Sequence, residues 1–147
     1  MNCFTLVALL ALLLTLVYGD PMYTLIVRNP NSWYTFHHQK SKLHYGTIQW
    51  IGGAPGNIGA GKTESYRFSS MNEFITPKQR TFVTVTWVTH TMFGNPKETI
   101  VMGIRMDERG WLTAFDCTIE DNRGRTHLCR VHRDDYEITV LVDTSQR

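Results

Sequence analysis

Cysteine is scarce in this chain. Its 147 residues hold three, Cys3, Cys117 and Cys129, and none sits in a CxxC or beside a paired-histidine spacing, so a zinc-ribbon type of metal site is excluded and no cofactor is expected. No charged side chain occurs in residues 1–19, where Phe4 to Tyr18 is an apolar run too short to span a bilayer comfortably. The run ends with Val17 and Gly19 at the small-residue positions a signal peptidase prefers. Residues 1–19 are therefore expected to be a signal peptide, and residues 20–147 a single secreted, extracellular domain. A strong excess of positive charge is missing too: 15 Lys and Arg against 13 Asp and Glu leave a net +2, too little for a dedicated nucleic-acid binder. No Asn-x-Ser/Thr sequon follows residue 19, so no N-glycan is expected.

Catalytic motifs are absent as well. There is no Gly-x-Ser-x-Gly, no HExxH and no cysteine nucleophile outside the presumed bridge, so the chain is not expected to be an enzyme. Six histidines (His37, His38, His44, His90, His127 and His132), with Glu137 or Asp116 as carboxylate partners, leave a secreted hydrolase such as a ribonuclease as the least favoured reading. Their spacing specifies nothing: His37 and His38 would point to opposite faces of a strand, and so would His127 and His132. Scattered strand histidines of this kind are expected at the surface.

No amphipathic helical stretch and no internal repeat occurs after residue 19, and a period of two dominates instead. Val83, Val85 and Trp87 alternate with Thr84, Thr86 and Val88. Ile100, Met102, Ile104 and Met106 alternate with Val101, Gly103 and Arg105, and Tyr136, Ile138, Val140 and Val142 with Glu137, Thr139 and Leu141. Further strands are expected over Tyr23 to Arg28, Leu43 to Ile51, Glu64 to Phe68, Trp111 to Ile119 and Thr126 to His132. Turn signals such as Asn29-Pro30-Asn31 and Gly94-Asn95-Pro96 separate them, and a helical turn is expected near Ser70 to Phe74. Short strands at this spacing give an all-β fold, a single-domain antiparallel β-sandwich.

The cysteines add one cross-strand disulfide. If Asn122-Arg123-Gly124 is a three-residue hairpin loop with Gly124 in the left-handed region, the register places Cys117 opposite Cys129. The same register pairs Phe115 with Val131, Ile119 with His127 and Asp121 with Arg125.

Gly56 to Thr63 matches the phosphate-loop pattern GxxxxGK[ST], which works by wrapping phosphates in backbone amides ahead of a helix. Here Glu64 to Phe68 reads as a strand, and no apolar strand ends in a magnesium-binding Asp, so nucleotide hydrolysis is not expected. The segment reads as a glycine-rich surface loop, with Gly59, Gly61 and Lys62 as a candidate site for an anion such as a phospholipid head group. Trp33, Tyr34, Trp50 and Trp111 flank turns, where an aromatic ring suits a membrane interface or a sugar face, and they are the candidate ligand- or membrane-binding residues. Trp87, in mid-strand, is expected in the core.

The order of features resembles the small β-sandwich cytolysins, the actinoporin and aegerolysin groups. The likeness rests on Leu25-Ile26-Val27-Arg28-Asn29, on Trp33-Tyr34-Thr35-Phe36, on Gly46-Thr47-Ile48, on the glycine-rich turn and strand from Gly59 to Phe68, and on Ile138 to Asp143. The resemblance implies a secreted toxin-like protein that binds membrane lipid through turn aromatics, with room for an oligomer. Actinoporins insert an N-terminal amphipathic helix, which this chain lacks, so lipid binding is carried over and autonomous pore formation is not. The expected partner is thus membrane lipid; the alternative is a secreted effector, ligand or lectin that engages a partner protein or glycan.

Overall fold

β-Branched and aromatic residues at alternate positions build two sheets whose apolar faces meet. The computed structural model describes residues 2–17, 20–71, 77–91 and 93–144. Among these the chain forms a helix, α1 (Cys3–Val17), and ten strands. These are β1 (Tyr23–Arg28), β2 (His37–Tyr45), β3 (Gln49–Ile51), β4 (Thr63–Ser69), β5 (Thr81–His90), β6 (Pro96–Met106), β7 (Leu112–Asp121), β8 (Thr126–Leu128), β9 (Arg130–Arg133) and β10 (Glu137–Leu141). One sheet has the order β3-β4-β1-β10-β9 and the other β2-β5-β6-β7-β8. The fold is the all-β sandwich expected, with one departure: β1 and β10 run parallel at the centre of the first sheet. Among the described residues no helix is long and apolar enough to cross a membrane.

The inward rows are those that the alternation marks. Leu25, Val27, Phe68, Ile138 and Val140 face Val83, Val85, Trp87, Ile100, Met102 and Ile104, and all are buried. At roughly 1.5–3 kcal/mol for each buried side chain, this double row is the main stabilising term of the fold. Trp87 is fully buried, and its indole Nε1 donates to the Gly56 carbonyl at 2.8 Å, so the polar atom it takes inside is satisfied.

Two expected strands are each divided. Leu43 to Ile51 is broken at Gly46, which has φ +81° and packs so close to the Arg80 carbonyl that an added Cβ would collide with it. The first piece extends back to His37 as β2, a polar edge strand exposed along most of its length, which therefore shows no burial period. Thr126 to His132 is divided at Cys129: β8 pairs with β7, whereas β9 pairs with β10 in the opposite sheet. Ile119 faces His127 as expected, but Val131 faces Val140 and not Phe115, because the chain changes sheets between Leu128 and Arg130. The Cys117–Cys129 disulfide forms, with Cα atoms 5.4 Å apart, and ties this crossing to β7. Gly124 takes φ +77°, and Arg125 pairs with Asp121 at 2.8 Å, as the hairpin chemistry requires. Of the helical turn expected near Ser70 to Phe74, residues 72–74 lie outside the described residues.

Candidate functional site

Two buried asparagines organise one end of the sandwich. At the close of β1, the Asn29 amide nitrogen reaches the carbonyls of Tyr34 (2.7 Å) and Gly59 (3.1 Å), while its side-chain oxygen accepts from the backbone and side-chain nitrogens of Asn31. Asn31 in turn accepts from the Thr144 hydroxyl at 2.7 Å. The Asn29 backbone N–H donates to the Lys62 carbonyl and the Gly61 backbone N–H to the Asn31 carbonyl. The loop after β1, the glycine-rich loop before β4 and the segment after β10 are thereby stapled together. Each bond contributes about 0.5–1.5 kcal/mol, and losing a buried partner would cost more than that.

The backbone that carries Trp33 is therefore pinned, yet its side chain is 88% exposed. The β5–β6 turn reaches the same end, since Lys97 holds its Nζ 4.0 Å above the Tyr34 ring. That turn is closed by the Thr91 amide on the Asn95 carbonyl and the Gly94 amide on the Thr91 carbonyl, and its tip carries Phe93, 89% exposed. Lys97 also joins Glu98, Asp121, Asn122, Arg123 and Arg125 around a cleft of about 270 Å³ of mixed charge at the β7–β8 turn. Between Trp33, Tyr34, Lys97 and Thr144 lies a second cleft of about 390 Å³. Two large aromatic rings are thus exposed at this end, near Lys97, which approaches Glu98 at 3.8 Å, and Arg125, which pairs with Asp121 at 2.8 Å.

Electrostatics hold the neighbouring turn in shape. Partial burial raises the pKa of the Asp121 carboxyl, but the amide hydrogens of Arg125 and Arg123 and the Arg125 guanidinium outweigh it, leaving the pKa lowered to about 2. Asp121 is thus ionised through the neutral range and keeps the Arg123 and Arg125 backbone in place.

The structure divides the four aromatics singled out in the sequence. Trp33 and Tyr34 belong to the end just described. Trp111 lies at the other end, roughly 20 Å away along the six residues of β1, because the Tyr23 hydroxyl at the start of that strand accepts from the amide of Leu112. Trp50 is half-buried and packs on Phe68 with ring centroids 5.5 Å apart, so it belongs to the margin of the core. No single patch unites all four.

Three amides of the glycine-rich loop are already engaged within the chain. The amides of Ile58, Gly61 and Lys62 donate to the carbonyls of Phe36, Asn31 and Gly59, and a strand, not a helix, follows Thr63. Its Ile58 plugs the core, fully buried beside Phe36, while Gly59 and Gly61 serve the loop's path and Lys62 leaves its ammonium at the surface. Among the histidines, His37 and His90 come together edge to face at 5.2 Å. His127 approaches Asp121 at 3.7 Å.

Phe93 and Tyr136 were missed by sequence reasoning. A large apolar residue directly before Gly94-Asn95 was the available signal for the first, since turns favour polar side chains. Tyr136 continues the inward row of β10 in the sequence, but it lies half-exposed in the turn that precedes the strand. No family model matches this chain, and no curated protein matches it.

Proposed function

We propose that this is a secreted binding protein that docks on lipid membranes through the end bearing Trp33 and Phe93, in keeping with its resemblance to β-sandwich cytolysins. The single observation that carries the reading is the near-complete exposure of these two rings on loops of the same end, one of them pinned by buried asparagines. Lys97 lines the cleft beside Trp33, and Arg123 lies one cleft away with Glu98 and Asp121; these cations are the groups that would meet an anionic surface. The apolar segment of α1 serves as the secretory leader in this reading, and an oxidising compartment accommodates the Cys117–Cys129 bridge.

The rival reading, a partner protein added along a sheet edge, has less support. The long edge strand β2 carries Lys40 and Lys42, and its pairing with β5 is broken by register shifts at His38/Lys40 and Leu43/Tyr45. Bulges and edge lysines are the devices that discourage strand addition. Sedimentation with phosphatidylcholine vesicles, with and without phosphatidylserine, tests the proposal. Binding is expected to strengthen with phosphatidylserine and weaken with salt. Protein left wholly in the supernatant with both compositions refutes it.

A further inference from the structure

The end opposite Trp33 carries a separate constellation. The β6–β7 and β9–β10 turns meet there over the start of β1. Arg133 donates from Nη2 to the Leu112 carbonyl at 2.8 Å, and the Leu112 amide donates to the buried Tyr23 hydroxyl at 2.8 Å, so both turns are tied at one residue. Asp107 accepts the amides of Arg109 and Trp111 at 2.9 Å, which fixes the turn presenting Trp111. The Asp134 amide donates to the Glu137 carbonyl at 2.8 Å, closing the turn that lifts Tyr136.

Two clefts result, of about 520 and 450 Å³, and they share Asp134, Asp135 and Tyr136. The first is lined further by Arg67, Glu137, Thr24 and Met22, whose sulfur accepts from Arg67 Nη2 at 2.7 Å, and the second by Trp111, Arg133, Tyr23 and Leu112. The Tyr136 and Trp111 rings are 50% and 44% exposed with centroids 6.2 Å apart.

We propose that this pair of clefts binds a neutral oligosaccharide, laid across Tyr136 with one sugar ring on either side. Exposed aromatic rings with polar tips receive the C–H face of a pyranose, which is apolar on one side and hydroxylated at its rim. Carboxylates at Asp134, Asp135 and Glu137 accept hydrogen bonds from hydroxyls, and the guanidinium of Arg67 donates to hydroxyl and ring oxygens; such charge-assisted bonds are among the strongest available to a neutral ligand. The mixture of signs selects the ligand class. An organic cation would face two guanidinium groups and an anion three carboxylates, whereas a polyol can use both signs. Each cleft falls within the size range of small-molecule sites. The site does not rest on the membrane reading, because the two lie at opposite ends of β1.

The test is an array of neutral, sialylated and sulfated oligosaccharides probed with the intact, disulfide-bonded protein, followed by calorimetric titration of the neutral glycans retained. Retention of neutral glycans is expected, with affinity reduced at least tenfold in Tyr136→Ala and in Asp135→Asn and unchanged in Trp33→Ala. Asp135→Asn is an isosteric change at an exposed position, so it decides the matter if Tyr136→Ala alters folding. The proposal is overturned if no neutral glycan is retained, if retention is confined to acidic glycans, or if Asp135→Asn binds as the wild type does.

Discussion

Trp33→Ala and Trp87→Ala should part company in stability and in membrane affinity. An aromatic side chain offers about 200 Å² of surface, and Trp33 leaves nearly all of its own in water. If half of that area enters a lipid interface, about 100 Å² at 25 cal/mol per Å² gives roughly 2.5 kcal/mol, or about a 70-fold loss of affinity on truncation. Folding should scarcely notice, since the ring makes little of the core. Trp87 is the reverse: it is fully buried and bonded to the Gly56 carbonyl, so its removal should cost about 3–5 kcal/mol and lower the melting temperature by roughly 10–20 °C. Vesicle sedimentation paired with thermal melts measures both quantities. The reasoning is refuted if Trp33→Ala melts as early as Trp87→Ala, or if it binds vesicles with wild-type affinity.

Replacing Cys117 and Cys129 together by alanine opens a loop closed across 12 residues and should destabilise the fold by about 3 kcal/mol; chemical denaturation with and without reductant checks it, and an unchanged midpoint would contradict it. Because the Asp121 pKa is lowered by folding, the stability its bonds contribute is fully present above the ordinary 3.8 and is lost as pH falls towards about 2. An NMR titration of the Arg123 and Arg125 amides should therefore show a midpoint near 2, and a midpoint at 3.8 would mean that those bonds are not made in solution. Asn29→Ala strips partners from the carbonyls of Tyr34 and Gly59 and should cost about 2–3 kcal/mol, with faster amide exchange through residues 58–62; exchange as slow as in the wild type would show that other contacts hold the loops.

The core was legible in the sequence because burial on one face of a strand leaves a period of two. Val83 and Val85 on β5 and the Ile100 to Met106 row on β6 show it, although Thr86 and Val88, placed by the alternation on the outer face of β5, are buried too. β2 was not legible, since an edge strand exposed along most of its length has no such period to display. The division between β8 and β9 was hidden for another reason: Thr126 to His132 alternates as one strand would, and only the tertiary arrangement decides that Val131 pairs with Val140. The Cys117–Cys129 bridge could be read from turn chemistry because a three-residue loop fixes register locally. For the site, position beside a turn identified Trp33 correctly as exposed but could not tell which end of the sandwich each turn occupies. That information lies in long-range pairings such as Tyr23 with Leu112, 89 residues apart.

The most direct test of membrane docking is a hydrogen–deuterium exchange footprint of the protein with and without phosphatidylserine-containing vesicles. Protection is expected in peptides covering residues 29–36 and 91–97, with residues 107–112 and 133–137 unchanged. Protection confined to the Trp111 end, or no change at residues 29–36 under conditions where the protein sediments with the vesicles, would contradict the assignment of Trp33 and Phe93 as the docking surface.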